Sequence, residues 1–152
     1  MIVICHSEFN WLDMTVNADK SSCIRVGKRY DVEVSNVHID SKAIKWSSEL
    51  KYLGIVFVAS KTIKYNLHRV KQKYFKCLNG LLGKMGSSPN IQLTLSLINT
   101  FCTPVLCYGL EAMRLNKTQL NSLSFSYNSG FMKLFSFYNT KIIMQCQYFS
   151  GY

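Results

Sequence analysis

Residues 49–60 read ELKYLGIVFVAS. After Lys51 the run is uncharged, rich in β-branched and aromatic side chains, and broken only by Gly54. It is too short for a globular helix, and its Ile, Val and Phe content predicts a β-strand with Ile55 and Phe57 directed into a core. A glycine inside such a strand marks a bulge or leaves room for another backbone. The run also sits where the period of the apolar pattern changes, so it divides the chain.

Before it, the pattern is mostly that of strands. Val3, Ile4, Phe9 and Leu12 fit a helical stripe over about residues 3–15 with Glu8 and Asp13 outside it, and TVNADKS (15–21) breaks that stripe. SSCIRVG (21–27) then alternates as a short strand, Gly27–Arg29 reads as a turn, and YDVEVSNVHI (30–39) repeats the period of two with Val32, Val34, Val37 and Ile39 inward. Beyond Ser60 the period lengthens. Ile63, Leu67, Val70, Tyr74, Leu78 and Leu81 recur at intervals of three and four, with Lys61, Lys64, Arg69, Lys71, Lys73 and Lys76 on other faces, predicting a basic amphipathic helix that ends near Gly83 or Gly86. Ser88 and Pro89 signal a second helix carrying Ile91, Leu95, Ile98, Phe101 and Cys102 on one face, which Pro104 should kink or end. Asn116 followed by Gln119 is a capping box for a third, with Leu120, Leu123, Tyr127, Phe131 and Leu134, and Thr140 caps a last short turn. The expected fold class is α+β, a small antiparallel β segment over residues 1–60 followed by a basic helical bundle over residues 61–152.

With 152 residues the chain is one ordinary domain in size, able to bury roughly 70% of its extended surface. Its 48% apolar content argues against intrinsic disorder. The six cysteines are scattered and form no Cys-x-x-Cys, so they read as free thiols of a reducing, intracellular compartment, nuclear or cytoplasmic. His6, His38 and His68 stand at no ligand-like spacing, and no metal site is expected. The N-terminal MIVICHSEFNW has neither basic flank nor small-residue cleavage site, so no signal peptide is read, and no stretch approaches the roughly 20 apolar residues of a membrane span.

Charge is informative once divided. Residues 1–49 hold six Lys or Arg against seven Asp or Glu, net −1, whereas residues 50–152 hold twelve against Glu111 alone, net +11. A surface of that kind attracts phosphate backbones with little sequence preference. Catalytic patterns are missing: none of the eight acids forms the adjacent pair that two-metal phosphoryl transfer needs, Asp31 and Glu33 read as solvated strand positions, and there is no Gly-rich phosphate loop or nucleophile elbow. Lys20, at the corner between first helix and first strand, either reaches a phosphate or is a solvated turn lysine. Arg25, Lys28 and Arg29 are the basic cluster of the first third. Among Tyr30, Trp46, Tyr52, Tyr65 and Tyr74 a core role is favoured over base stacking, with Tyr65 the best exposed candidate.

Four ordered blocks, FNWLDMTVNADKSSCIRVG (9–27), IKWSSELKYLGIVF (44–57), FKCLNGLLGKMG (75–86) and CTPVLCYGLEAM (102–113), together resemble the downstream half of the reverse transcriptases of non-LTR retrotransposons, the LINE-like jockey and chicken-repeat types. The resemblance implies a palm edge followed by a thumb, from an RNA-directed DNA polymerase of a transposable element. It implies that Lys20 assists at the triphosphate, that Tyr52, Leu53 and Gly54 form the turn of a primer-grip hairpin, and that the helix from about residue 61 to 83 starts the thumb. Arg25, Lys28, Lys61, Lys64, Arg69, Lys71, Lys73 and Lys76 are then the residues expected along the nucleic-acid backbone. The hairpin of catalytic aspartates would lie upstream of Met1, so Mg2+ is expected only for the complete parent enzyme, and the missing upstream half becomes an expected protein partner. This chain alone is expected to grip primer–template duplex without catalysis. The competing expectations are a small basic nucleic-acid-binding or adaptor protein and a structural or protein-interaction fragment.

Overall fold

A computed structural model describes residues 2–39, 41–86 and 90–151. Helical and strand elements are mixed, so the fold is α+β, and the chain divides into two compact units, Met1–Asn66 and Leu67–Tyr152.

The first unit opens with helix α1 (Ile2–Trp11). The apolar residues of its expected stripe are exposed, Val3 at 81% and Ile4 at 65%, so the helix forms without burying them. Strands β1 (Ser22–Cys23), β2 (Val37–Ile39) and β3 (Lys42–Trp46) make one sheet in the order β1-β3-β2, with β1 parallel and β2 antiparallel to β3. The expected strands over 21–27 and 30–39 are thus much shorter. Arg25 is the reason for the second. Its guanidinium donates to the carbonyls of Arg29 and Val32 and lies 5.0 Å from the centre of the Trp46 ring, folding residues 25–34 into a loop that leaves Val32 and Val34 exposed rather than inward.

The second sheet is antiparallel, β4 (Glu49–Tyr52), β5 (Ile55–Val58) and β6 (Lys64–Tyr65) in that order. ELKYLGIVFVAS is therefore a hairpin, not one strand, and Gly54 is neither bulge nor gap. Leu53 (φ 46°) and Gly54 (φ 83°) form a two-residue turn with both φ positive, the arrangement whose twist suits two antiparallel strands. The hairpin register also moves the core: Val56 is buried, whereas Ile55 and Phe57 are half-buried on the opposite face. Phe57 meets Tyr65 of β6 with ring centres 5.5 Å apart, so Tyr65 is a half-buried cross-strand partner rather than a free aromatic. Ile44 and Val56 are the buried apolar residues among those described in this unit.

That pairing also corrects the helix start. Residues 61–67 continue the helical period of the sequence, yet Lys64 and Tyr65 join the sheet and the Asn66 amide donates to the Val56 carbonyl at 2.8 Å. The ladder satisfies backbone groups that an uncapped first helical turn would leave open. Helix α2 (His68–Met85) begins after it, and Ile63 is exposed. Leu67, Tyr74 and Leu78 are buried as the spacing predicts, and Gly86 (φ 74°) ends the helix.

Ser88 and Pro89, the expected start signal of the next helix, lie outside the described residues; its observed N-cap is Asn90, whose side chain accepts from the Leu93 amide at 3.1 Å. Helix α3 (Ile91–Leu97) runs through a π-turn (Ile98–Cys102) into α4 (Thr103–Cys107). The wide turn accommodates Pro104, whose ring would clash with a carbonyl four residues back and whose nitrogen has no proton to donate, so the helix axis continues where a stop was allowed for. Leu95, Ile98, Cys102 and Leu106 are buried, whereas Ile91 and Phe101 are exposed. Contrary to expectation, residues Ile91–Ala112 are long and apolar enough to qualify as a span by length and composition. The continuous helical part stops at Cys107, and 17 residues reach about 25 Å against a hydrocarbon core of about 30 Å. Gly109 (φ 72°) then leads into a 3-10 turn (Leu110–Ala112).

Helix α5 (Lys117–Phe135) begins with the capping box: Asn116 accepts from the Gln119 amide at 2.8 Å and the Gln119 side chain accepts from the Asn116 amide at 3.0 Å. The last turn expected from Thr140 is a full helix, α6 (Thr140–Phe149), capped by Asn139. Leu95, Phe131, Met132 and Ile143 form the centre of this unit, with Tyr127, Leu134 and Phe135 packed on them. Helices α2 and α5 approach closely at Gly130, where a β-carbon would stand 2.8 Å from the Tyr74 hydroxyl oxygen.

Candidate nucleic-acid interface

The residues named from the sequence divide between the two units. Lys20 is exposed in the turn before β1, its backbone amide held by the Asn17 side chain at 3.1 Å, which fixes the corner and leaves the ammonium in solvent. Lys28 is exposed in the following loop. Arg25 has its guanidinium engaged with two carbonyls and the Trp46 ring, which makes it an organiser of that loop. Tyr52 and Leu53 project at the hairpin tip, 62% and 69% exposed, with Gly54 half-buried beside them. Lys61 lies in the bend before β6 and Lys64 on β6 itself, both exposed and neither helical.

The helical unit carries the stronger charge. Residues 67–152 contain nine Lys or Arg and one acid, Glu111. Arg69, Lys73 and Lys76 follow one another at steps of four and three along α2, which places them on one exposed face. None of the three has a hydrogen-bond or ion-pair partner among the described residues. Lys71 belongs elsewhere. It is half-buried against α5, where its Nζ donates to Ser122 Oγ at 2.9 Å.

That contact belongs to a groove the sequence did not bring forward. Lys71, Gln72 and Phe75 of α2 and Ser122 and Phe125 of α5 line a hollow of about 260 Å3, and Phe125 is 63% exposed at its rim. Further along, Lys133 Nζ donates to Asn79 Oδ1 at 2.6 Å and sits 5.8 Å from the centre of the Phe75 ring. On α5 the relevant signal was weak: Phe125 and Lys133 stand eight residues apart in a stretch whose apolar positions point to the core. Only the pairing with α2 gives that second face a meaning.

Elsewhere in the unit the chemistry is that of a dry interior. Cys102 Sγ lies 3.4 Å from Cys77 Sγ, both thiols free, and burial together with that hydrogen bond pushes the Cys102 thiol up to about 12. Burial also raises the Tyr74 hydroxyl well above its usual range, with the Cys102 thiol adding to the shift, and the hydroxyl donates to the Tyr127 carbonyl at 3.3 Å. Among the described residues no three His, Cys, Asp or Glu side chains converge. No protein family, curated protein or solved structure matches the chain.

Proposed function

We propose that the chain is the palm-edge and thumb portion of a LINE-like reverse transcriptase, gripping primer–template duplex through phosphate contacts without catalysis of its own. The observation that supports it most is the row Arg69, Lys73 and Lys76 on α2, exposed and without a hydrogen-bond or ion-pair partner among the described residues, in a unit whose one acid is Glu111. Such a row offers its charge to a regular array of phosphates, and an RNA–DNA hybrid is recognised chiefly by that backbone and its shape. On this reading the hairpin turn at Tyr52, Leu53 and Gly54, with Tyr52 and Leu53 exposed, contacts a primer end, and Lys20, Lys28, Lys61 and Lys64 are solvent-facing cations that add to the charge. Mg2+ belongs on this reading to the complete parent enzyme. The exposed apolar residues of α1, among them Val3, Ile4 and Trp11, favour a protein partner as well, and the upstream polymerase half is the partner this reading supplies.

Binding of a labelled RNA–DNA hybrid at a series of salt concentrations tests it. Affinity should fall linearly in log–log form, and replacing Arg69, Lys73 and Lys76 together by Ala should flatten the slope by up to about 3. A slope near zero, or one unchanged in the triple variant, overturns the reading. Nucleotide incorporation by the purified chain with magnesium would overturn the absence of catalysis.

A further inference from the structure

We infer that the groove between α2 and α5 holds an unpaired stretch of a single nucleic-acid strand, with a base on the exposed ring of Phe125 and phosphates at Lys71 and Lys133. This rests on the nucleic-acid reading above and extends it to a second strand type and a second face.

The lining dictates the ligand chemistry. Lys71 and Lys133 are each fixed by a neutral side chain, Ser122 and Asn79, so their positions are set while no carboxylate among the described residues compensates their charges. Phe75 lies beneath the Lys133 ammonium, and Phe125 keeps 63% of its surface in solvent at the edge of the hollow. A ligand satisfying both features carries anionic groups and flat apolar faces in alternation. A nucleic-acid strand does so, and any base stacks on an aromatic ring irrespective of sequence. A duplex does not, because its base faces are already stacked on each other. The length fits too: Lys71 and Asn79, which anchors Lys133, are eight residues apart on one helix, about 12 Å, enough for two or three bases at about 3.4 Å each. The row Arg69, Lys73 and Lys76 lies on another face of α2 and remains available to duplex phosphates.

Fluorescence anisotropy with a labelled oligo-dT and, separately, the RNA–DNA hybrid tests the assignment on the full chain. Phe125→Ala and Phe125→Leu should both weaken oligo-dT binding by about fivefold to a hundredfold, the range one lost stacking contact spans. Both should leave hybrid affinity within about twofold, and Phe125→Trp should restore oligo-dT binding. Lys133→Gln should lower the salt slope for oligo-dT by about 1. Phe125→Leu keeps the apolar bulk, so a loss seen in it follows removal of the ring rather than misfolding. The groove assignment is overturned if Phe125→Leu binds oligo-dT as the parent does, if both variants lose hybrid and oligo-dT equally, or if poly-glutamate of matched charge competes as well as unlabelled oligo-dT. Failure of the parent chain to bind either nucleic acid at low salt overturns the broader reading instead.

Discussion

Gly130→Ala probes the closest approach in the helical unit. A β-carbon there meets the Tyr74 hydroxyl oxygen at 2.8 Å, while the nearest Leu78 carbons, at 3.6 and 3.8 Å, are in ordinary van der Waals contact. The hydroxyl is therefore the whole obstacle. Tyr74 is 0% exposed and cannot swing away without opening the core, so the overpacking cost is about 1–3 kcal/mol. Alanine returns about 1 kcal/mol in helix propensity, leaving a net loss of up to about 2 kcal/mol. Tyr74→Phe removes the obstacle and gives up only the 3.3 Å hydrogen bond to the Tyr127 carbonyl, about 1 kcal/mol. In that background Gly130→Ala should turn stabilising by up to about 1 kcal/mol, a coupling of about 1–3 kcal/mol between the two sites. Urea unfolding of the four proteins of this cycle, followed by far-ultraviolet circular dichroism, measures it. If Gly130→Ala costs the same with Tyr74 or Phe at position 74, the hydroxyl is not what excludes a side chain there.

Three further outcomes are expected. The folded chain keeps protons on Tyr74 and Cys102 that the unfolded chain loses above about pH 9, the Cys102 thiol being pushed up from 9.0 to about 12, so melting temperature should fall from pH 9 toward 12. Cys102→Ala should make that fall shallower, and identical slopes would mean the thiol ionises as readily in the folded chain. Gly80→Ala and Gly83→Ala, where nothing lies within 4 Å of an added β-carbon, should each stabilise α2 by about 0.5–1 kcal/mol in urea melts; a loss would reveal an unseen close neighbour. Leu53→Asn places at φ 46° a residue that tolerates the left-handed region, and amide exchange across Ile55–Val58 should slow; faster exchange would contradict a turn with two positive φ values.

Elements defined by local chemistry are legible along the chain. The core face of α2 through Tyr74 and Leu78, its end at Gly86, one of the two glycines the pattern allowed, and the Asn116–Gln119 box of α5 follow from spacing, from a glycine and from one reciprocal pair of hydrogen bonds. The α+β class and the basic character of the helical part are equally local. What lies between strands follows from pairing. Periodicity leaves Gly54 as a bulge or a gap, although the resemblance implied a hairpin turn there, and the period of 61–67 reads as helix until Tyr65 packs on Phe57. Of the cations named along α2, periodicity gives the faces but not the neighbours: Lys71 is fixed on Ser122, and Arg69, Lys73 and Lys76 have no hydrogen-bond or ion-pair partner among the described residues. The hollow beside Phe125 and the Lys133–Asn79 contact both need α5 packed on α2, two helices that approach closely at Gly130. A side-chain period records which way residues point along one element, whereas pairing register and helix approach depend on a second segment far away in sequence.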